Sequence, residues 1–319
     1  MNKTLLTLVA CFALANPALA AETSKFTDAT GKTVDVPSAP ERIVALHDLS
    51  LTVPLNELGL SPVGAVGRTG ADGVRYLRGA KTLTGIDFDN SDIVDVGGFP
   101  ADLEVVASLN PDLILMMHFN TTDRTQLEAV APTIMLEDNM RGEFVVFDQL
   151  AALTGTEERL DVLKTRYQGQ VAQIEKMIDT QDISVSVFGP SQDKLVAWHT
   201  YGALGKVLRD AGFGAPEIVN QIDGSERVYF SGEQIAAFDA DFIITTYDHN
   251  RGESPQSVID DLNAIVPDFC RHLTACREGR MIFLPREDAV TRSYEALGQM
   301  SAVIMGVIGG QGHTAIVSE

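Results

Sequence analysis

The chain has 319 residues, 45% of them apolar and 21% charged, the ordinary mix of a globular protein. Its 24 basic against 44 acidic residues give a formal charge of −20, which argues against nucleic acid or an anionic membrane as partner. No run reaches the roughly 20 apolar residues of a membrane span, and the length suffices for two lobes, each with its own core.

The first twenty residues have the make-up of a secretory signal. Lys3 supplies the positive start, 5–15 is apolar but short, and Ala18-Leu19-Ala20 before Ala21 fits a small-residue cleavage site. Leu8-Val9-Ala10-Cys11 has the look of a lipoprotein box, but so little apolar sequence precedes Cys11 that the later site is preferred. Residues 26–37 then read as a hairpin turning at 29–32, and 40–46 as the first strand of a main sheet, ending in His47-Asp48. A helix over 50–58 closes at Gly59, and a strand over 62–66 leaves Arg68 just past its end. The loop 69–91 is rich in Gly, Asp and Arg, and irregular loops of that length are more often functional than decorative.

The stretch from Val96 to His118 reads as one unit. A Gly-Pro turn leads to a short helix with Leu103, Val106 and Leu109 on one face, then an Asn-Pro-Asp break and the apolar strand 113–117. With no polar alternation, that strand is expected to be buried on both faces, as in a parallel sheet covered by helices. Polar residues then collect at its C-terminal end, where His118 and Asn120 emerge and where open α/β sheets hold ligands. A short helix over 126–130 and a strand over 132–136 complete the first lobe.

A helix over 144–153 stops at Gly155, and Thr156 begins a longer one over 157–179 with Leu160, Leu163, Tyr167, Val171, Ile174 and Ile178 on one stripe. At 1.5 Å per residue it would reach roughly 35 Å, enough to lie across two lobes, although a surface helix of one domain fits equally. In the second half, the alternating 183–188 predicts a strand with unlike faces, followed by a strand over 195–199 and a helix over 201–211. Residues 226–247 repeat the earlier unit: a turn, Glu233 at the start of a short helix, an Asp-Ala-Asp break and an apolar strand, so that Glu104 and Glu233 take equivalent places. A helix around 258–265, a strand over 280–284 and a final helix over 294–308 follow. Outside the signal only Cys270 and Cys276 remain, an even count that predicts a short-loop disulfide in an oxidising compartment. A thiol metal site with His272 between them would lack the fourth ligand zinc wants.

No catalytic motif stands out: there is no Gly-x-Ser-x-Gly, no His-Glu-x-x-His and no phosphate loop, and Gly64, Gly67 and Gly70 have the wrong spacing for a dinucleotide fingerprint. Binding residues are instead expected at strand ends facing a cleft. On that criterion the first lobe offers His47, Arg68 and His118, and the second Trp198, His199, Tyr201, Tyr247, His249, Arg292 and Tyr294.

The paired units at 96–118 and 226–247, together with the opening Arg42-Ile43-Val44, its helix and Gly59-Leu60, resemble the periplasmic substrate-binding proteins of iron-siderophore, haem and vitamin B12 ABC importers, over nearly the whole mature chain. The resemblance implies an α/β fold of two lobes, each a mainly parallel sheet flanked by helices, joined by one long rigid inter-lobe helix in the manner of class III binding proteins. It divides the chain into a signal peptide 1–20, an N-terminal lobe 21–141, linker helices 142–181 and a C-terminal lobe 182–319. It implies a monomeric periplasmic protein with no catalytic residues, no intrinsic cofactor and no bound metal, which carries a ferric siderophore to a permease and ATPase complex. Glu104 and Glu233 would dock on permease arginines.

In a ferric siderophore the iron is already wrapped, so aromatics need only stack on it and Arg pair with carboxylate or catecholate oxygens. Arg68 and Arg292 are the best candidates for such pairing, with Arg227 and Arg251 next; if they do not converge, a neutral or cationic hydroxamate fits better. The four histidines near strand ends, His47, His118, His199 and His249, keep haem or direct transition-metal binding open. A corrinoid ligand and an enzyme or sensor reusing the fold are the remaining alternatives.

Overall fold

The computed structural model describes residues 22–137, 144–223 and 227–312, so the signal-like segment lies outside the described residues. The chain opens with the antiparallel hairpin β1 (Thr23–Thr27) and β2 (Thr33–Pro37). Strands β3 (Ile43–Ala45) and β4 (Gly64–Ala65) follow. The long loop holds a small antiparallel pair, β5 (Arg68–Thr69) and β6 (Arg75–Tyr76), and a short helix, Ala80–Thr84. With β7 (Val94–Asp95), β8 (Leu113–Met117) and β9 (Thr133–Leu136) the first sheet is complete, in the order β7-β4-β3-β8-β9 and parallel throughout.

The apolar run of β8 has a direct explanation in this arrangement. Leu113, Leu115 and Met117 point into one core, while Ile114 and Met116 point into another on the opposite face of the sheet. Val106 is fully buried in that second core, with Leu103 and Leu109 packed beside it. Asp102 begins the helix Leu103–Ser108 by accepting from the backbone N–H groups of Glu104 and Val105.

The second sheet has the order β12-β11-β10-β13-β14, built from β10 (Val185–Ser191), β11 (Lys194–Trp198), β12 (Arg227–Phe230), β13 (Phe242–Tyr247) and β14 (Met281–Pro285). The pairs β10–β13 and β13–β14 are parallel, whereas β10, β11 and β12 form an antiparallel meander. Only two residues separate β10 from β11, too few for the crossover that a parallel neighbour requires. The alternation over 183–188 does not mark a solvent face: β10 is the central strand, and Val185, Ser186, Val187 and Phe188 are all buried. The second glutamate unit is a 3₁₀ segment, Gly232–Phe238, capped by Ser231 and Gln234, rather than an α-helix. Cys270 and Cys276 are bonded to each other beside β14.

Between the sheets runs the helix Glu157–Met177, of 21 residues and thus roughly 32 Å long. Leu160, Leu163, Tyr167 and Ile174 on its buried side belong to one continuous core that also takes in Leu115 and Ile134 of the first lobe and Val187, Leu204 and Leu284 of the second. Two buried glutamates tie the lobes together reciprocally. Glu57 of the first lobe accepts from the backbone N–H groups of Tyr294 (2.8 Å) and Glu295 (3.1 Å), at the start of the final helix Tyr294–Val307. Glu287 of the second lobe accepts from Gly79 N–H (3.3 Å) and from Asn250 Nδ2 (2.8 Å). Burial pushes both carboxyls above their usual range. Gly79 must be glycine: its φ is +77°, and a Cβ would stand 2.4 Å from the Leu49 side chain. A shared core and two cross-lobe caps oppose any large hinge motion, because opening would expose both at once.

Candidate functional site

The C-terminal end of β3 delivers His47 and Asp48 to the inner edge of the first sheet. Asp48 is fully buried and is held from two sides: Arg68 approaches with Nε 2.6 Å from Oδ2, and Arg78 places an NH2 nitrogen 3.0 Å from Oδ1. Burial alone would raise the Asp48 carboxyl, but Arg78 and Arg68 outweigh it and hold the group far below the usual carboxylate range. Two guanidinium groups thus share one carboxylate. The Arg68 guanidinium also lies over the Phe99 ring, 4.7 Å from its centroid.

His47 sits in the same corner, 6% exposed, with Phe119 edge-on at 4.9 Å and Phe99 at 5.9 Å between ring centroids. Its Nδ1 accepts from Ser50 N–H at 3.0 Å, which places the ring proton on Nε2. Burial first, then the charges of Arg78, Arg68 and Arg292, push this histidine down to about 4 against the opposing pull of Asp48. His47 is therefore a neutral structural cap at physiological pH. His118 is exposed, in edge contact with Phe119, itself 44% exposed.

The second lobe contributes a cavity of about 450 Å³ at the ends of β10 and β13 and along β11 and β12. Trp198 lies on its wall, 4.5 Å from the ring of Tyr201, whose hydroxyl pairs with Thr246 Oγ1 at 2.9 Å. The cross-strand register sets Arg227 opposite Trp198, and Tyr229, 43% exposed, opposite Val196. Arg227, Arg251 and Arg286 line the cavity, as do Asp248, Glu253 and Asp261. Asp248 Oδ1 is buried with no hydrogen-bond partner among the described residues, so a ligand donor would be welcome there.

Near this cavity the two lobes meet at Tyr76 of the first and Glu287 of the second, next to the cavity residue Arg286. The Tyr76 hydroxyl stands 3.4 Å from Glu287 Oε1, and burial, then Glu287 and Asp248, push it up to about 12. Ala71 N–H to Asn250 O, at 3.0 Å, closes the contact between the long loop and the turn after β13.

Several expected site residues are placed elsewhere. Tyr294 is buried among Phe144, Phe147 and Tyr167, at the joint between the lobes. Tyr247 packs against the core on the far side of β13, because its neighbour Thr246 takes the cavity side. His199 lines a separate recess of about 20 Å³, too small for a ligand, and its Nδ1 pairs with Thr200. His249 is exposed in the turn after β13. Arg292 is half-buried, and its charge helps to push His47 down. Among the described residues no three His, Cys, Asp or Glu side chains gather as a metal-ligand group, so the four strand-end histidines do not converge.

Strand-end position does not single out Arg78, Asp48, Phe99, Phe119, Tyr229, Asp248 or Arg286. Asp48 adjoins His47 and Asp248 adjoins Tyr247 at predicted strand ends, and Arg78 lies in the long irregular loop; the others carry no sequence signal. Glu104 and Glu233 are both exposed, each the second residue of its short capped helix.

Residues 74–287 match the family model described as "Periplasmic binding protein". The curated Iron(3+)-hydroxamate-binding protein FhuD of Bacillus subtilis (strain 168) is 25% identical over 244 residues, 73% of each chain. In fold, the chain is similar to Staphylococcus aureus SirA, solved in complex with staphyloferrin B (TM-score 0.74, 21% identity, covering 90% of this chain and 98% of that one). It is also similar to FhuD from S. pseudintermedius (0.69, 19%, 92% and 100%). The petrobactin-binding protein YclQ of Bacillus subtilis gives 0.69 at 18% identity, covering 92% and 100%.

Proposed function

Because the chain belongs to the periplasmic binding protein family, we propose that it captures a ferric siderophore in the cleft between its lobes and hands it to an ABC importer of the inner membrane. The observation that carries this reading is the cavity of about 450 Å³, walled by Trp198 on Tyr201 and lined by Arg227, Arg251 and Arg286. Its size and mixed aromatic and cationic wall suit a bulky, preformed chelate better than a bare ion, for which the histidines would have to converge. The named relative binds an iron(3+) hydroxamate, and the solved neighbours include a staphyloferrin B complex and a petrobactin binder, which supports iron chelates as the ligand class. Residues 1–20 direct export and are removed, the lobes divide at 141 and 182, and Arg68, Trp198, Tyr201 and Arg292 are the ligand residues retained from the sequence.

Trp198 is the sole tryptophan, so its fluorescence reports directly on the cavity. Ferric hydroxamate, catecholate and citrate complexes, haem and zinc are to be titrated separately into the mature protein. Quenching by at least one ferric chelate at micromolar concentration or below is expected; a response to haem or zinc alone would discard this reading.

Glu104 and Glu233, exposed at matching places in the two lobes, are the docking points for the permease. The double variant Glu104→Ala/Glu233→Ala is expected to keep the chelate affinity within twofold while lowering ⁵⁵Fe uptake by cells at least fivefold. Normal uptake, or loss of chelate affinity, would remove them from that role.

A further inference from the structure

Resting on the reading of the cleft as a ferric-chelate site, we infer that Asp248 selects the ligand by its organic periphery: the carboxylate accepts from an ammonium group carried on the scaffold of the chelate, away from the iron. An Asp at the end of a strand is usually spent on the turn that follows, because its side chain is a strong cap. Asp248 is not used in that way. It stands at the head of the 3₁₀ segment His249–Arg251, and its side chain makes no capping bond. The turn is closed by main chain and by Glu253 instead. Asp248 N–H donates to Glu253 Oε2 at 2.7 Å, and Asp248 C=O accepts from Arg251 N–H at 3.0 Å and from Glu253 N–H at 3.1 Å. The backbone of Asp248 is therefore fixed while its carboxylate is left over.

Asp248 lines the cavity of about 450 Å³ together with Trp198, Tyr201 and Thr246. The residue is only 7% exposed, and its Oδ1 has no hydrogen-bond partner among the described residues. Oδ2 lies 3.5 Å from Arg251 Nε, but that side chain is 78% exposed, and a pair of this kind contributes little. Rotation about the Cβ–Cγ bond of an Asp is soft, so either oxygen can turn to the cavity at small cost. A buried carboxylate short of donors loses its solvation without return, and a ligand N–H restores it. A cationic N–H does so best, since such bonds are roughly twice as strong as neutral ones. The charges agree with this. Arg227, Arg251 and Arg286 against Asp248, Glu253 and Asp261 leave the cavity no formal cationic excess, and Arg227 lies over the ring of Tyr229, 5.1 Å from its centroid. The whole chain carries −20, so a cationic group is drawn toward it. A terminal carboxylate in the same place would bring like charge to Asp248 and leave Oδ1 without a donor, so the residue rejects one periphery as it accepts the other.

The test uses the mature protein and four iron(III) probes. Three are linear tris-hydroxamates identical but for one terminus, which is a free ammonium, its neutral N-acetyl derivative or its anionic N-succinyl derivative; the fourth is an anionic tris-catecholate. Each is titrated by Trp198 fluorescence at low and high salt, for the unaltered protein and for Asp248→Asn, with circular dichroism confirming the fold. The ammonium probe is expected to bind tenfold or more tighter than the N-succinyl probe, with the N-acetyl probe between them, and to weaken as salt rises. In Asp248→Asn, which keeps the shape but not the charge, the three hydroxamates should come within twofold of one another. Equal binding of the three by the unaltered protein, tightest binding of the catecholate, or an ammonium preference that survives Asp248→Asn would each overturn the inference while leaving the siderophore reading intact. If haem or zinc binds and every chelate is silent, both fall together. Should Asp248→Asn misfold, the ranking of the probes by the unaltered protein decides: ammonium first and salt-sensitive upholds the inference, any other order overturns it.

Discussion

Asp48→Ala is expected to cost about 3–5 kcal/mol of stability, measured by denaturant unfolding at neutral pH, because it leaves two partly buried guanidinium groups without their counter-charge. The carboxylate is fully buried, and it also accepts from Leu49 N–H at 2.9 Å, so one substitution breaks both the ion pairs and a backbone contact. Asp48→Asn keeps the shape and one acceptor and should cost less. If instead Asp48→Ala unfolds within 1 kcal/mol of the parent, Arg68 and Arg78 are better solvated than their burial indicates. A domain of ordinary stability has only about 5–15 kcal/mol in total, so the expected loss would also be visible as reduced yield from cells.

Lowering the pH from 7.5 to 4 is expected to reduce stability by about 3 kcal/mol through His47 alone. Its folded value, about 4, lies below the ordinary 6.5, so in this window the unfolded chain binds a proton that the folded chain refuses. The stabilisation is complete above pH 6.5 and is lost as the pH falls toward 4. Protonation would also place a hydrogen on Nδ1 and destroy the bond from Ser50 N–H. Glu57 and Glu287, raised by burial, act with the opposite sign: they take up protons more readily folded than unfolded, and so favour the folded state as the pH falls. The diagnostic quantity is therefore the difference between the parent and His47→Gln across the pH range. Equal slopes for the two proteins would show that His47 titrates normally and does not sit in the closed corner described. Asp48 does not confuse the comparison, since its contribution persists until the pH falls below the carboxylate range.

The two lobes are similar in plan but unequal in what they bring to the cleft. At its strand ends the first carries charge, through Arg68 and Arg78 on Asp48, with Phe99 against Arg68 and Phe119 against His47. The second brings the concave aromatic surface, where the antiparallel strands β11 and β12 extend beyond the parallel core and present Trp198 and Tyr229 on one face. That division follows from topology. A meander can project side chains over an open edge, whereas the first sheet, parallel throughout, exposes only its strand ends.

The fold was largely legible in the residues. Local patterns set it: the unbroken apolar run of 113–117 demanded burial on both faces, and the three-and-four spacing from Leu160 to Ile174 demanded a helix with one buried side. Strand-end position placed Trp198 and Tyr201 on the wall of the cavity and Arg68 on the buried Asp48. It failed at Tyr247, Tyr294 and His199, because a strand end has two faces and sequence position does not say which one meets the cleft; a shift of one residue sends a side chain to the opposite core. Nor could spacing reveal that Arg78, ten residues beyond Arg68 in an irregular loop, returns to the same carboxylate. By itself, then, the sequence determined two helix-flanked sheets, the joining helix and the pairing of Glu104 with Glu233, since these rest on periodicity and caps. Only the tertiary structure decided which charges converge, that His47 is buried and caps the turn at Ser50, and that Glu57 and Glu287 fasten one lobe to the other, because these depend on contacts between segments up to 238 residues apart.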